Sequence, residues 1–230
     1  MKSSVRTFCS KGFRHWYYEH ELSNLMKKCA FTLAEVLITL GIIGVVAAIT
    51  LPILIQNYQK TVWVNQLKKS VSVLENGFKL AMAEDEVDNL EDTALFRTLK
   101  EDGGGCVDIF EYSDGNGFEN EFKKYFKVVK YANGYWENNY KDLDGEVYEN
   151  DEDATLVNLY DGTKLFLQLN GCYFRQIYYG HQKIDIDVNG DKNPNQWGRD
   201  RFSFILESNG RLTPKSYALR IIENGWKMDY

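Results

Sequence analysis

FTLAEVLITLGIIGVVAAITLPILI, residues 31–55, is an apolar run that holds one ionisable side chain, Glu35. As a helix rising about 1.5 Å per residue it extends about 38 Å, more than the roughly 30 Å of a bilayer's hydrocarbon core. The run can therefore span a membrane. It is too long for the apolar region of a cleaved secretory signal, about 7 to 15 residues, and no small-residue cleavage site stands at its far end.

The flanks give the run a direction. Residues 1–30 carry Lys2, Arg6, Lys11, Arg14, Lys27 and Lys28 against Glu19 and Glu21, net +4, whereas the remaining residues hold 21 basic and 31 acidic side chains, net −10. A basic flank before and an acidic body after orient the N-terminus to the cytoplasm and the C-terminal domain across the membrane. Lys60, Lys68 and Lys69 on the far side dilute that signal. Residues 1–30 are read as a leader. No apolar run occurs in residues 1–25, and Met26 offers a simpler true start, giving the leader Met-Lys-Lys-Cys-Ala.

Glu35 needs a partner, because a charge at mid-membrane costs about 2.5 to 3.5 kcal/mol on insertion scales. A carboxyl near the interface finds one in headgroups by snorkelling, or in an amine of opposite charge. Pro52 removes a backbone donor and crowds the carbonyl of Ala48, so a kink or local loosening is expected there. Gly41 and Gly44 weaken the same helix further.

Residues 27–55 resemble the N-terminal segment of type IV prepilins and type II secretion pseudopilins: a short basic leader, a small residue, Phe-Thr-Leu-x-Glu, then an aliphatic helix. The resemblance implies that a prepilin peptidase on the cytoplasmic face cuts between Ala30 and Phe31 and methylates the new N-terminus. The family usually has Gly before the cut, so Ala30 implies slower processing. Glu35 is the fifth residue counted from Phe31, the position that pairs with the N-terminal amine of a neighbouring subunit. Such a pair about 4 Å apart attracts by about 4 kcal/mol at an effective dielectric near 20. Gly41, Gly44 and Pro52 are the implied helix break, with the helix extending between Gly44 and Pro52 on assembly. The implied partners are the peptidase, other pilin or pseudopilin subunits, an inner-membrane assembly platform, and membrane lipid before assembly.

Beyond the apolar run the helical period persists and becomes one-sided. Trp63, Leu67, Val71, Leu74, Phe78 and Met82 recur at spacings of four and three, so one helix is expected over residues 31–83. Its first half, 31–55, spans the membrane or lies in a filament core. Its second half, 56–83, lays a stripe on a globular head, residues 84–230. Short helices are expected over 90–100 and 117–129. The back half reads as β: runs 154–159 and 164–169 flank Asp161-Gly162, a hairpin signal. Runs 184–188 and 201–207 alternate likewise, and Asn209-Gly210 turns the latter into 211–213. The residues from 217 to 226 carry an aliphatic cluster that can close the core. The expected fold class is α+β and pilin-like, a long N-terminal helix packed on a small antiparallel sheet.

Chemistry-bearing patterns are few. Asp185, Asp187, Asn189 and Asp191 alternate with Gly190 in sixth place, as in the opening of a calcium loop. The twelfth position is Gln196 rather than Glu and Pro194 interrupts, although Asp200 could substitute. An Asx turn between strands explains the same spacing. The stretch through Asp200 to Phe202 also resembles a head-domain motif of bacterial pilin-like proteins, some of which bind calcium nearby. After the leader His181 is the sole histidine, and no GxSxG, HExxH or CxxC occurs, so catalytic constellations have little to draw on. The triple glycine 103–105 lacks the lysine and hydroxyl residue of a phosphate loop. The acidic body disfavours nucleic acid, and aromatics between residues 131 and 140 suit core packing as well as stacking. Cys106 and Cys172, the two cysteines left after the leader, either pair in an oxidising compartment or stay as buried thiols.

The expectation is a structural, non-enzymatic subunit of pilin-like or pseudopilin type, a minor one given its large irregular head. It needs no cofactor beyond a candidate calcium ion. The alternatives are an anchored periplasmic binding or enzymatic domain that never polymerises, and a DNA-uptake pseudopilin.

Overall fold

The computed structural model describes residues 32–100, 105–109, 117–136, 140–147, 152–172, 174 and 182–230. The chain divides into two compact units, Met1–Ile55 and Gln56–Tyr230. In the first, the described residues form the opening turns of helix α1, Leu33–Glu84. In the second, the rest of α1 packs on a six-stranded antiparallel sheet, and the fold is α+β and pilin-like.

The strands are β1 (Val128–Trp136), β2 (Glu152–Leu159), β3 (Lys164–Gln168), β4 (Lys183–Asp187), β5 (Arg201–Leu206) and β6 (Leu212–Pro214). Each pairs with its neighbour in sequence, giving a meander ordered β1 to β6. The β2–β3 hairpin sets Leu156 opposite Phe166 and turns at Gly162, whose φ of +91° suits a residue without a Cβ. Period-two alternation then sorts the sheet. One face presents Val157, Leu165, Leu167, Ile184, Ile186, Phe202 and Phe204 to the main core, where Trp63, Val64, Leu67, Leu74 and Phe78 of α1 are buried with them. The other face carries Leu156 and Phe166 beneath Tyr140.

The helical stripe also buries Ser70, Gly77 and Ala81, small residues that let other elements approach closely. A Cβ on Gly77 would lie 2.2 Å from the ring of Phe126, which packs in turn on the tilted ring of Phe122, 4.2 Å between centres. Ser70 Oγ meets Thr163 Oγ1 at 3.2 Å, satisfying two buried hydroxyls.

Two expected elements differ. The helix over 90–100 is instead a 3₁₀ turn, Leu90–Asp92, and a short helix α2, Ala94–Arg97. Thr93 divides them, its hydroxyl accepting from Phe96 N–H as the cap of α2. The helix over 117–129 stops as α3, Gly117–Tyr125, where the β-branched pair Val128-Val129 starts β1. The closing segment includes helix α4, Ser216–Glu223, which buries Ala218 and Ile221.

Cys106 and Cys172 are joined as a disulfide, their Cα atoms 5.7 Å apart across 66 residues of sequence. Closing a loop of that length restricts the unfolded chain by an amount worth about 4 kcal/mol in the chain-entropy model.

Candidate functional site

Helix α1 starts with a reciprocal cap. Thr32 Oγ1 accepts from Glu35 N–H at 3.2 Å, while Glu35 Oε2 accepts from Thr32 N–H and from the Thr32 hydroxyl, both at 2.9 Å. This is a capping box, Thr-x-x-Glu, satisfying two donors that a helix start leaves open. Glu35 Oε1 accepts no hydrogen bond among the described residues. The carboxylate is thus held in place by one oxygen, at the helix end where negative charge is favoured, and offers the other outward.

From residue 33 to residue 55 every large aliphatic side chain is at least 42% exposed. Burying a Leu, Ile or Val is worth about 1.5 to 3 kcal/mol. Fourteen such side chains in water would forfeit about 20 to 40 kcal/mol, more than the roughly 5 to 15 kcal/mol that holds a domain folded. This surface requires lipid or other chains around it. Its hydroxyls are already satisfied: Thr39 donates to Glu35 O at 2.9 Å and Thr50 to Val46 O at 2.9 Å. The helix contains an 18-residue window apolar enough to cross a membrane, none of it buried within the chain.

Helix α1 continues through Gly41, Gly44 and Pro52 in the single chain, and the expected extension between Gly44 and Pro52 belongs to the assembled state. One proline costs a single rung, and the flanking turns hold the helix across it. A Cβ on Gly41 or Gly44 would meet nothing within 4 Å, so neither glycine is demanded by packing inside this chain. Ala30 and Phe31 lie outside the described residues.

The candidate calcium positions each have partners within the chain. Asp185 and Asp187 point from β4 to the outer face of the sheet, both fully buried. Asp185 takes Arg201 at 2.8 Å and Lys183 at 3.2 Å. Asp187 accepts from the Tyr140 hydroxyl and from the N–H groups of Asn189 and Gly190, at 3.1 and 2.8 Å, closing an Asx turn. Burial pushes the Asp187 carboxyl up to about 7; the Tyr140 hydrogen bond opposes this and the nearby Asp200 charge adds to it. Asp191 is exposed and paired with Lys164, and Asn189 donates to Asn193 O at 3.2 Å. Asp200 accepts from the N–H groups of Asn195 and Gln196 at 2.8 and 2.6 Å, which fixes the loop. No group of three or more His, Cys, Asp or Glu suited to a metal occurs among the described residues. His181 lies outside them.

Sequence reasoning missed what this loop encloses. The Arg201 guanidinium sits 4.5, 4.0 and 4.3 Å from the ring centres of Tyr140, Phe166 and Trp197, a cation enclosed by aromatic faces and neutralised by Asp185. Two backbone bonds, Lys141 N–H to Asn195 O and Trp197 N–H to Lys141 O, clamp the loops over it. The Thr32 cap was also overlooked, although its spacing is readable.

Residues 25–51 match the family model for the prokaryotic N-terminal methylation motif. The chain carries the prepilin-type cleavage and methylation signal. That signal marks a pilin- or pseudopilin-type substrate of prepilin peptidase, and with the apolar helix it fits a single-pass protein anchored in the inner membrane. The matched span includes the Ala30–Phe31 bond, Glu35, Gly41 and Gly44, and stops one residue short of Pro52. No curated protein and no solved structure matches the chain.

Proposed function

We propose that this prepilin-type chain is a structural, non-enzymatic subunit, a minor pilin or pseudopilin, cut between Ala30 and Phe31 and assembled into a type IV pilus or a type II secretion pseudopilus. The observation that carries it is the exposed aliphatic half of α1, headed by a carboxylate with one oxygen unengaged among the described residues. Helix-to-helix packing in a filament core covers that surface after the chain leaves the bilayer, and Gly41 and Gly44 leave room for a neighbour. Glu35 sets the register by neutralising the N-terminal amine of the next copy.

The deciding experiment replaces Glu35 by Ala and follows both membrane fractionation and sheared filaments. The expected outcome is a processed, membrane-bound protein that is lost from filaments. Unchanged incorporation and function would point to an anchor that never polymerises. One observation favours that second reading: a cleft of about 350 Å³ on the head, lined by Asp142, Lys183, Trp197, Ser203 and Tyr217 among others, joins aromatic and charged side chains as small-molecule sites do.

A further inference from the structure

Two residues past Ile55, α1 changes character: Asn57, Tyr58, Lys60, Thr61 and Asn65 replace the aliphatic run, and Tyr58 is 70% exposed. The chain that follows α4 packs against these turns. Gly225 and Trp226 both adopt left-handed backbone, with φ of +65° and +62°, and their N–H groups return to Ile222 O and Ile221 O. Glycine or asparagine suits such a helix terminus, whereas a bulky residue there is strained. The strained position sets the Trp226 indole beside α1, with Lys68 Nζ 5.1 Å from its ring centre.

The outcome is a cleft of about 470 Å³ whose lining includes Asn57, Lys60, Asn65, Trp226, Lys227 and Met228. Lys60 and Lys227 have no ion-pair partner among the described residues. Asp229, the acid nearest Lys227 in sequence, is held by Arg220 at 3.3 Å. Two ammonium groups with no ion-pair partner among the described residues, side-chain amide donors and an indole therefore share one cleft, on a body that is otherwise acidic.

We infer that this cleft binds the phosphate headgroup of an anionic phospholipid in the leaflet from which the head emerges. The inference rests on the anchored, prepilin-type reading, since a spanning run that ends at residue 55 sets residues 56–60 of the same helix, Lys60 included, within headgroup depth. The interfacial layer beyond the hydrocarbon core is about 5 to 8 Å thick on each side, one to two helical turns. Trp and Tyr concentrate at that level, and lysines there attract anionic lipid. The headgroup bridges Lys60 and Lys227 and holds the head on the membrane until the subunit is drawn from the bilayer.

Full-length protein in detergent is mixed with dioleoyl phosphatidylglycerol or with dioleoyl phosphatidylcholine, which share acyl chains, and retained lipid is counted by native mass spectrometry. Phosphatidylglycerol is retained preferentially, and Lys60→Gln with Lys227→Gln lowers its retention about tenfold or more. Lys60→Arg with Lys227→Arg restores it, and Lys192→Gln with Lys215→Gln leaves it at the parent level. Equal retention of the two lipids, or full retention by the double Gln variant, overturns the inference. Displacement of phosphatidylglycerol by millimolar glycerol phosphate also overturns it, assigning the cleft to soluble phosphate. A protein that is processed and membrane-bound yet shows no lipid preference fails this inference alone. A protein that never fractionates with membranes fails the anchored reading instead.

Discussion

Gly77 shows how one residue decides the packing of a helix. Alanine there gains about 1 kcal/mol of helix propensity, but its Cβ would press into the Phe126 ring, which Phe122 and Phe78 hold at 4.2 and 5.4 Å between ring centres. Overpacking a filled core costs about 1 to 3 kcal/mol. Gly77→Ala is expected to destabilise the head by about 1 kcal/mol in a denaturant titration, and an unchanged or raised midpoint would refute this. Asp187 carries a pH dependence of definite sign. Its carboxyl is raised to about 7 in the folded chain, against about 3.9 in an unfolded one. Between those values the unfolded chain releases the proton and the folded chain keeps it, so stability falls as pH rises. Asp187→Asn removes that loss. The melting temperature of the variant relative to the parent should therefore climb from pH 4 to pH 7, and a flat difference would count against the assignment. Neither effect was legible in the sequence. Gly77 has no turn or motif to mark it, and the Asp185-to-Asp191 spacing fits a ligand loop and an Asx turn equally well until Tyr140 and Arg201 are brought to it.

At the scale of elements, long periodic segments were readable and short ones were not. The stripe from Trp63 to Met82 repeats over six positions, and the Asp161-Gly162 and Asn209-Gly210 turns fix their hairpins through glycines of positive φ. Strand β1 was missed because Phe118, Phe122 and Phe126 keep a helical spacing up to its start and no Gly or Pro interrupts residues 118–133. The division at Thr93 was missed because a hydroxyl cap inside an apolar pattern looks like an ordinary helical threonine. Helix α1 presents the remaining question of this scale, since it runs unbroken through Pro52 in the single chain. If the interval between Gly44 and Pro52 extends on assembly, amides 45–51 are protected from hydrogen exchange in detergent-solubilised subunits and exchange faster in filaments. Full protection in both would show that the helix enters the filament unchanged.

For the whole molecule, the two units solve different problems. The head, Gln56–Tyr230, buries an ordinary core and adds a disulfide and an enclosed cation, so it is complete by itself. The helix opening is not complete, because its aliphatic surface and the second oxygen of Glu35 find no partner among the described residues. The proposed assembly would supply both at once: neighbouring helices would cover the aliphatic surface, and a neighbour's amine would meet the carboxylate. Carbodiimide treatment of sheared filaments probes that contact directly, since the reagent joins only an amine and a carboxylate that touch. Mass mapping is expected to yield a dimer of the N-terminal peptide, with the Phe31 amine of one copy linked to Glu35 of another and no such product from Glu35→Ala. A single peptide closed on itself, or no cross-link at all in intact filaments, would contradict the pairing.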